Sequence, residues 1–557
     1  MALSKIKCHA IYILFVFAGC GNEVSRTIIP DATEKIIDGS ISDLENQYND
    51  LGTINIDGHI TTDMQAPKQD SGTEIADSGI ISNDSETIRD ADFADSLGPI
   101  TTSCALPHDP PRALEHGDDP APLFARENLP VFEITITPEN WRAFCMNAVS
   151  MTSRIDDSDF EPLYTEATLI VSGEAITAPI GLRAHGKSSL TSLYAGGDDF
   201  ERCLENRFRA KPNFKISFSK YSPGTRYRGL KKINLIGHEG NETLLKEYIF
   251  NTIAESLDLP TPRTNHAALC VNGEYWGIYS NQEEIDDQPF LNHHFPDSSD
   301  GNYYKVESGG HLLYPSGLEE DFRANYKPVA GTPSNMPLLI DFLRFVNLSN
   351  DADFQRDIES RIDLHNWLGI TALETILLDA DGSYNRSSNF TIYQDTSFKW
   401  HIIRFDQDLI LLEDADDWND ESEGSRLFCY YWNRRGSRNN ANGTAPMRSS
   451  EFTVWNINYS VLQARLLFGS HPNEYMEHVA QVLDTSELVD DYFDERIEFT
   501  GPWIGSETEN FDPFELGRDV WILHAENLRA KFHAQLNMAE AQYEALLTTE
   551  VDSITCL

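Results

Sequence analysis

Apolar and polar residues alternate over 131–136 (VFEITI), the period-two pattern of a half-buried strand. Thr137-Pro138-Glu139 follows directly and reads as a helix start, with Pro in the first turn where a missing N–H costs nothing. The same alternation predicts strands within 165–185 and 212–220. Residues 244–257 have helical spacing, closed by Pro260 and Pro262. Residues 267–279 read as a hairpin turning at Asn272-Gly273. Helical spacing returns at 338–346 and 365–378, and 514–547 reads as mostly one long helix. Strands come first and helices later. The pattern therefore predicts an α+β fold with a strand-rich N-terminal half and a helical C-terminal half.

Composition narrows the partners. The 557-residue chain carries a formal net charge of −46, which argues against nucleic acid, because phosphate binding needs clustered Lys and Arg. At the N-terminus, Lys5 and Lys7 precede an apolar run over 10–18 that ends in Ala18-Gly19-Cys20. A basic region, a short apolar stretch and small residues before the cut make a secretory signal, too short to span a bilayer. Cys20 after Ala-Gly looks like a bacterial lipobox, which implies lipidation of Cys20, a membrane partner through that lipid, and a site outside the cytoplasm. Between 21 and 103 there are 17 acidic and 4 basic residues and few aromatics, the composition of a disordered spacer. The expected organisation is a signal peptide at 1–19, an acidic linker at 20–103 and a folded body at 104–557. Six cysteines remain in the mature chain: Cys104, Cys145, Cys203, Cys270, Cys429 and Cys556. Export allows them to oxidise, and pairing of Cys104 with Cys556 would staple the ends of the body together.

The stretch from Asp379 to Asp408 (DADGSYNRSSNFTIYQDTSFKWHIIRFDQD) carries the clearest chemistry. It sets Asp379 and Asp381 on a loop, follows with Asn385 and Asn389, and crosses a hairpin-like segment to Asp406 and Asp408. Mg²⁺ and similar hard cations take one or two carboxylates plus substrate phosphates. Phosphoryl transfer adds a carboxylate that orients the attacking hydroxyl. The competing reading of Asp381-Gly382 is a plain turn.

Several ordered segments resemble the spore coat protein H (CotH-like) family of atypical secreted protein kinases. They are LRAHGKSS at 182–189, KPNFK at 211–215, LKKINL at 230–235, LLK at 244–246, LDLP at 257–260 and VNGEYWGIY at 271–279 with Glu283 and Asp286 beyond. YYK at 303–305, the Asp381-Gly and Asn389-Phe pair, and 400–408 complete the set. The resemblance implies an atypical protein-kinase-like two-lobed domain that binds ATP with Mg²⁺ or Mn²⁺. By position it implies Asp381 as the catalytic-loop carboxylate, Asn389 as its metal-side partner, and Asp406, with Asp408 nearby, as metal ligands. The spacing from Asp381 to Asn389 is longer than in ordinary protein kinases and leaves Asn385 as a rival. Lys215, Arg183, Ser188, Ser189, Glu283 and Lys305 fall at positions near the nucleotide. Lys211 competes with Lys215, and Glu242 and Glu247 are rival partners for a Lys–Glu pair.

Gly181 to Ser188 also fits the Walker A pattern. A P-loop needs a helix directly after it, and the Gly196-Gly197 pair downstream makes a poor one. His293-His294 and the acidic run 414–421 read as surface features rather than metal sites. The leading functional reading is an extracytoplasmic kinase that phosphorylates a surface or coat protein. Its rivals are a catalytically silent binding or structural protein with the same fold, and transfer of AMP in place of phosphate.

Overall fold

In the computed structural model the described residues run from Cys104 to Leu547, apart from short stretches before 117 and at 155–161, 187–188, 191–198, 209–210, 238–242, 308–309, 311 and 330–333, and longer ones at 412–459 and 505–516. All belong to one unit, Ala91–Leu557. Cys20, the acidic linker, Cys429, Cys556 and the 414–421 run lie outside the described residues.

The alternating segment forms β1 (Val131–Thr135), and α1 (Pro138–Ser153) starts where expected, with Thr137 Oγ1 accepting from the Asn140 N–H at 3.2 Å. That bond satisfies one of the donors a helix N-terminus leaves open. The predicted 165–185 region divides into β2 (Thr165–Val171), β3 (Glu174–Ala175) and β4 (Ile180–Ala184). Next come α2 (Asp199–Leu204), β5 (Phe214–Ser217), β6 (Lys232–Ile236) and α3 (Lys246–Ser256). The hairpin is longer than its sequence signal, with β7 (Thr264–Val271) and β8 (Glu274–Glu283). Asn272 and Gly273 take φ of 52° and 83° at its turn, the left-handed values a two-residue hairpin requires.

These strands form one eight-stranded sheet in the order β1-β7-β8-β6-β5-β4-β2-β3, and β1 also pairs with β2. The sheet therefore closes on itself through seven strands, leaving β3 outside the ring. Among the described strand pairs of this sheet, only β1 and β7 run parallel. Side chains on one face, including Ile134, Leu182, Phe214, Ile216 and Leu269, pack with Trp141 and Phe144 of α1 into one core. The opposite face of β1, β7 and β8 gives Val131, Ala268 and Ile278 to a second core shared with the later helices.

After residue 300 a four-stranded antiparallel sheet, β10-β9-β11-β12, is built from β9 (Asn302–Val306), β10 (Tyr326–Pro328), β11 (Phe390–Gln394) and β12 (Trp400–Arg404). Around it lie α4 (Met336–Leu348), α5 (Leu364–Ile376), α6 (Pro472–Leu483), α7 (Ser486–Thr500) and α8 (Arg518–Leu546). Every residue of α5 from Asn366 to Ile376 is buried, so this helix is covered on all sides and central to the second core. Mixed content with strands early and large helices late agrees with the sequence pattern. β11 and β12 depart from it, since they return among the helices.

Cys104 is joined to Cys270 on β7, which corrects the expected staple to Cys556; Cys145 on α1 is joined to Cys203 on α2. The second bridge closes a separation of 58 residues, a constraint on the unfolded chain of about 4 kcal/mol. Cys145→Ser is therefore expected to lower the Tm by several degrees, and reductant should then have less left to remove. A Tm equal to wild type under oxidising conditions would show that the bridge carries no stability.

Candidate active site

Leaving α5, the chain turns sharply at Leu378 (φ 50°) into the loop that carries Asp381. A buried ion triad holds this loop from beneath. Arg404, wholly buried on β12, pairs with Asp379 through Nη2 at 2.6 Å and with Glu374 of α5 through Nε at 2.5 Å. It also donates from Nη1 to the carbonyls of Ser388, at 3.0 Å, and Asn389. Asp379 Oδ1 accepts from the Asp381 N–H at 3.0 Å. Glu374 accepts from the Ser383 and Tyr384 N–H groups at 2.8 and 2.9 Å. Gly382 crosses directly over this triad, where a Cβ would meet the Glu374 carboxyl carbon at 2.9 Å. Asp379 is thus an anchor of the loop.

The exposed side of the loop brings Asp381, Asn389 and Asp406 together. Asn389 donates to Asp381 Oδ2 at 3.1 Å, and the Ala380 N–H reaches the Leu409 carbonyl at 3.1 Å. Asn389 and Asp406 both adopt left-handed backbone, with φ of 56° and 63°. Non-glycine residues pay for that conformation and persist in it where the surroundings fix them, often at sites of chemistry. Asp406 is open to solvent yet has protein packed around it. Burial first, and then the Asp381 charge, push its carboxyl up to about 6. Asp408 is driven well above the ordinary range by burial and by Asp406 and Glu247, while Lys246 Nζ of α3 binds its backbone carbonyl at 2.9 Å. Among the described residues no three His, Cys, Asp or Glu side chains converge on one point. A carboxylate raised by a second one nearby, with a side-chain amide bonded to that second carboxylate, does fit a hard cation completed by phosphate oxygens. The side chain of Asn385 lies outside the described residues.

The basic half of the site comes from the closed sheet. Lys215 on β5 stands in register with Arg183 on β4. Its ion-pair partner is Glu284, just beyond β8, and both groups are buried. This corrects the expected partners: Glu247 lies by Asp408, and Glu242 is outside the described residues. Burial alone would raise Glu284, but Lys215 and Lys232 outweigh it and hold the carboxyl down to about 2. His185 is held well below its ordinary value by burial, then by Lys215, Arg183 and Lys305. Lys305, on β9, also acts on Asp406. One lysine therefore lies within electrostatic reach of both halves.

The remaining candidates are placed as follows. Ser189 Oγ donates to the His185 carbonyl at 3.3 Å and accepts from Asn213 at 3.2 Å, tying the turn after β4; the side chain of Ser188 lies outside the described residues. Gly186 in that turn has φ of 100°, and a Cβ there would strike Ser189 Oγ. Glu283 is gripped by Arg263 through both carboxylate oxygens, one at 2.8 Å. Lys211 is buried, reaching the Ile278 carbonyl at 3.5 Å and the Tyr279 ring. β4 runs antiparallel to both neighbours, so Gly181–Ser188 has no P-loop setting. Sequence reasoning passed over Glu374, Arg404 and Glu284. A lone Glu inside an apolar helix and a lone Arg inside an apolar strand were the available signals for the first two.

The family described as CotH kinase protein matches residues 182–500, more than half of the chain. The chain belongs to that family. Among curated proteins, the Inner spore coat protein H of Bacillus subtilis (strain 168) is 22% identical over 272 residues, covering 48% of this chain and 70% of that protein. Among the described residues no helix is long and apolar enough to cross a membrane.

Proposed function

We propose that this chain is a phosphotransferase of the CotH kinase family, acting outside the cytoplasm and moving the γ-phosphoryl group of ATP to a protein hydroxyl with Mg²⁺ or Mn²⁺. The observation that carries the reading is the meeting of Asp381, Asn389 and Asp406 on one loop pair, with Lys305 acting both on Asp406 and on His185, the ring that Lys215 and Arg183 also face. Asp381 orients the acceptor hydroxyl. Asp406 and Asn389, with Asp408 behind them, would hold the cation. Lys215, Lys305 and Arg183 balance phosphate charge, with Gly186 and Ser189 beside them. The cation, when bound, neutralises charge on the phosphates. The fold is a reduced, two-lobed kinase-like body at 104–557. The acidic segment 20–103 holds it away from a membrane to which Cys20 is anchored by lipid. Its acceptor is a surface or coat protein.

A second reading, a silent coat or binding protein, is favoured by the name of the Bacillus subtilis relative, a spore coat protein. Incubation of the full chain with γ-labelled and, separately, α-labelled ATP, Mn²⁺ or Mg²⁺ and casein distinguishes them. Label transfer from γ alone is the expected result. Transfer from α would assign AMP transfer. No transfer, with no metal-dependent ATP binding by calorimetry, would overturn the kinase reading.

A further inference from the structure

Away from the candidate site, α5 and α6 cross with two imidazoles in contact. His365 Nδ1 lies 2.9 Å from His478 Nε2. The outer nitrogens are also engaged: His365 Nε2 lies 2.8 Å from the Leu257 carbonyl, and His478 Nδ1 lies 2.7 Å from the Glu474 carbonyl. A carbonyl only accepts, so each outer nitrogen must carry a hydrogen. A neutral imidazole has one N–H and one bare nitrogen. Two neutral rings would therefore face each other lone pair to lone pair at 2.9 Å. A third hydrogen between the rings removes the conflict. Three N–H groups on two rings amount to one positive charge.

We propose that His365 and His478 share one proton, forming a singly charged imidazolium–imidazole clamp that fastens three helices and loosens as the pH rises. His365 is the charged member. It is exposed, whereas His478 is buried. It sits on the carbonyl of Leu257, the C-cap of α3, where the helix dipole favours a cation. The charged groups that face the pair are Asp363, ahead of α5, and Glu477 on α6; α3 contributes the Leu257 carbonyl. Burial first, and then His365, lower His478, as expected for the ring that stays neutral. Gly369 lets the helices cross this closely, since a Cβ there would meet Leu259 at 2.8 Å and the His478 ring at 3.4 Å.

The clamp ties the far end of α3, which begins with Lys246 and Glu247 beside Asp408, to α5, which carries Glu374. The shared proton is a feature of the folded pair, and its removal leaves the two facing nitrogens bare. The clamp's stabilisation is therefore lost as the pH rises and that proton leaves. A second proton is resisted by the lowered His478, so stability also falls as the pH drops below about 6.5.

His365→Asn supplies a donor to His478 that cannot titrate. The Tm of the wild-type chain is expected to fall more steeply than that of the variant between about pH 6.5 and 9. Parallel curves would overturn the proposal. Should the variant not fold, the ¹⁵N-histidine spectrum of the wild-type chain decides. A ¹⁵N–¹⁵N coupling across the hydrogen bond, with one ring doubly protonated at about pH 7.5, is expected. Two neutral rings without that coupling would refute the shared proton.

Discussion

Arg404→Met is expected to cost about 3–5 kcal/mol, the usual penalty for breaking a buried ion pair from one side. The change leaves Glu374 and Asp379 as two buried carboxylates without their shared cation, and it strips a donor from the Ser388 and Asn389 carbonyls. A body of this size unfolds with an entropy of about 1 kcal/mol/K, so that loss lowers the Tm by roughly 3–5 °C. Arg404→Lys should recover only part of it, because an ammonium cannot reproduce the planar fork that reaches both carboxylates and the loop. The pH dependence carries a definite sign. Burial already raises Glu374, with Arg404 opposing that rise and Asp379 adding to it. A carboxyl raised in the folded state costs stability as the pH climbs past its unfolded value. The Tm gap between Arg404→Met and wild type should therefore narrow toward pH 5. A gap of constant size from pH 5 to 8 would show that charge is not what Arg404 supplies.

Asp406→Asn should separate stability from activity. Asparagine keeps the size of the side chain and tolerates the left-handed backbone at φ 63°, which alanine would strain. The Asp406 charge is disfavoured by burial and by Asp381, so a neutral amide should leave the Tm unchanged or slightly higher without added metal. Label transfer from ATP should fall by about 10²–10³-fold or more, the scale set by removing one electrostatic contact to a transition state. Mg²⁺ or Mn²⁺ should raise the Tm of wild type through binding to the native state, and raise that of the variant far less. Equal metal-induced shifts in the two proteins would remove Asp406 from the cation site.

What the sequence made legible was local. Alternation located β1, Asn272-Gly273 located the hairpin turn, and Thr137-Pro138 located the start of α1, because each signal lies within a few residues of its consequence. The stations of the candidate site, Asp381, Asn389 and Asp406, stand out in the sequence as motifs. Their supports do not. Lys215 finds Glu284 rather than a helix glutamate because β6, which neighbours β5, is itself paired with β8. Cys104 finds Cys270 because β7 lies within its reach. Closure of the sheet by β1 depends on a strand bonding two partners at once, and no periodicity encodes that.

The Cys104–Cys270 bridge also sets a route for mechanical load. A pull on the chain from its N-terminal side meets a covalent stop at Cys104 and is delivered to β7, inside the closed ring of strands. The whole enclosed loop, residues 105–269, is bypassed, so none of the strands from β1 to β6 carries that pull while the bond is intact. Reduction of this one bond would move the load onto the lead-in of β1, a strand held by hydrogen bonds on both sides.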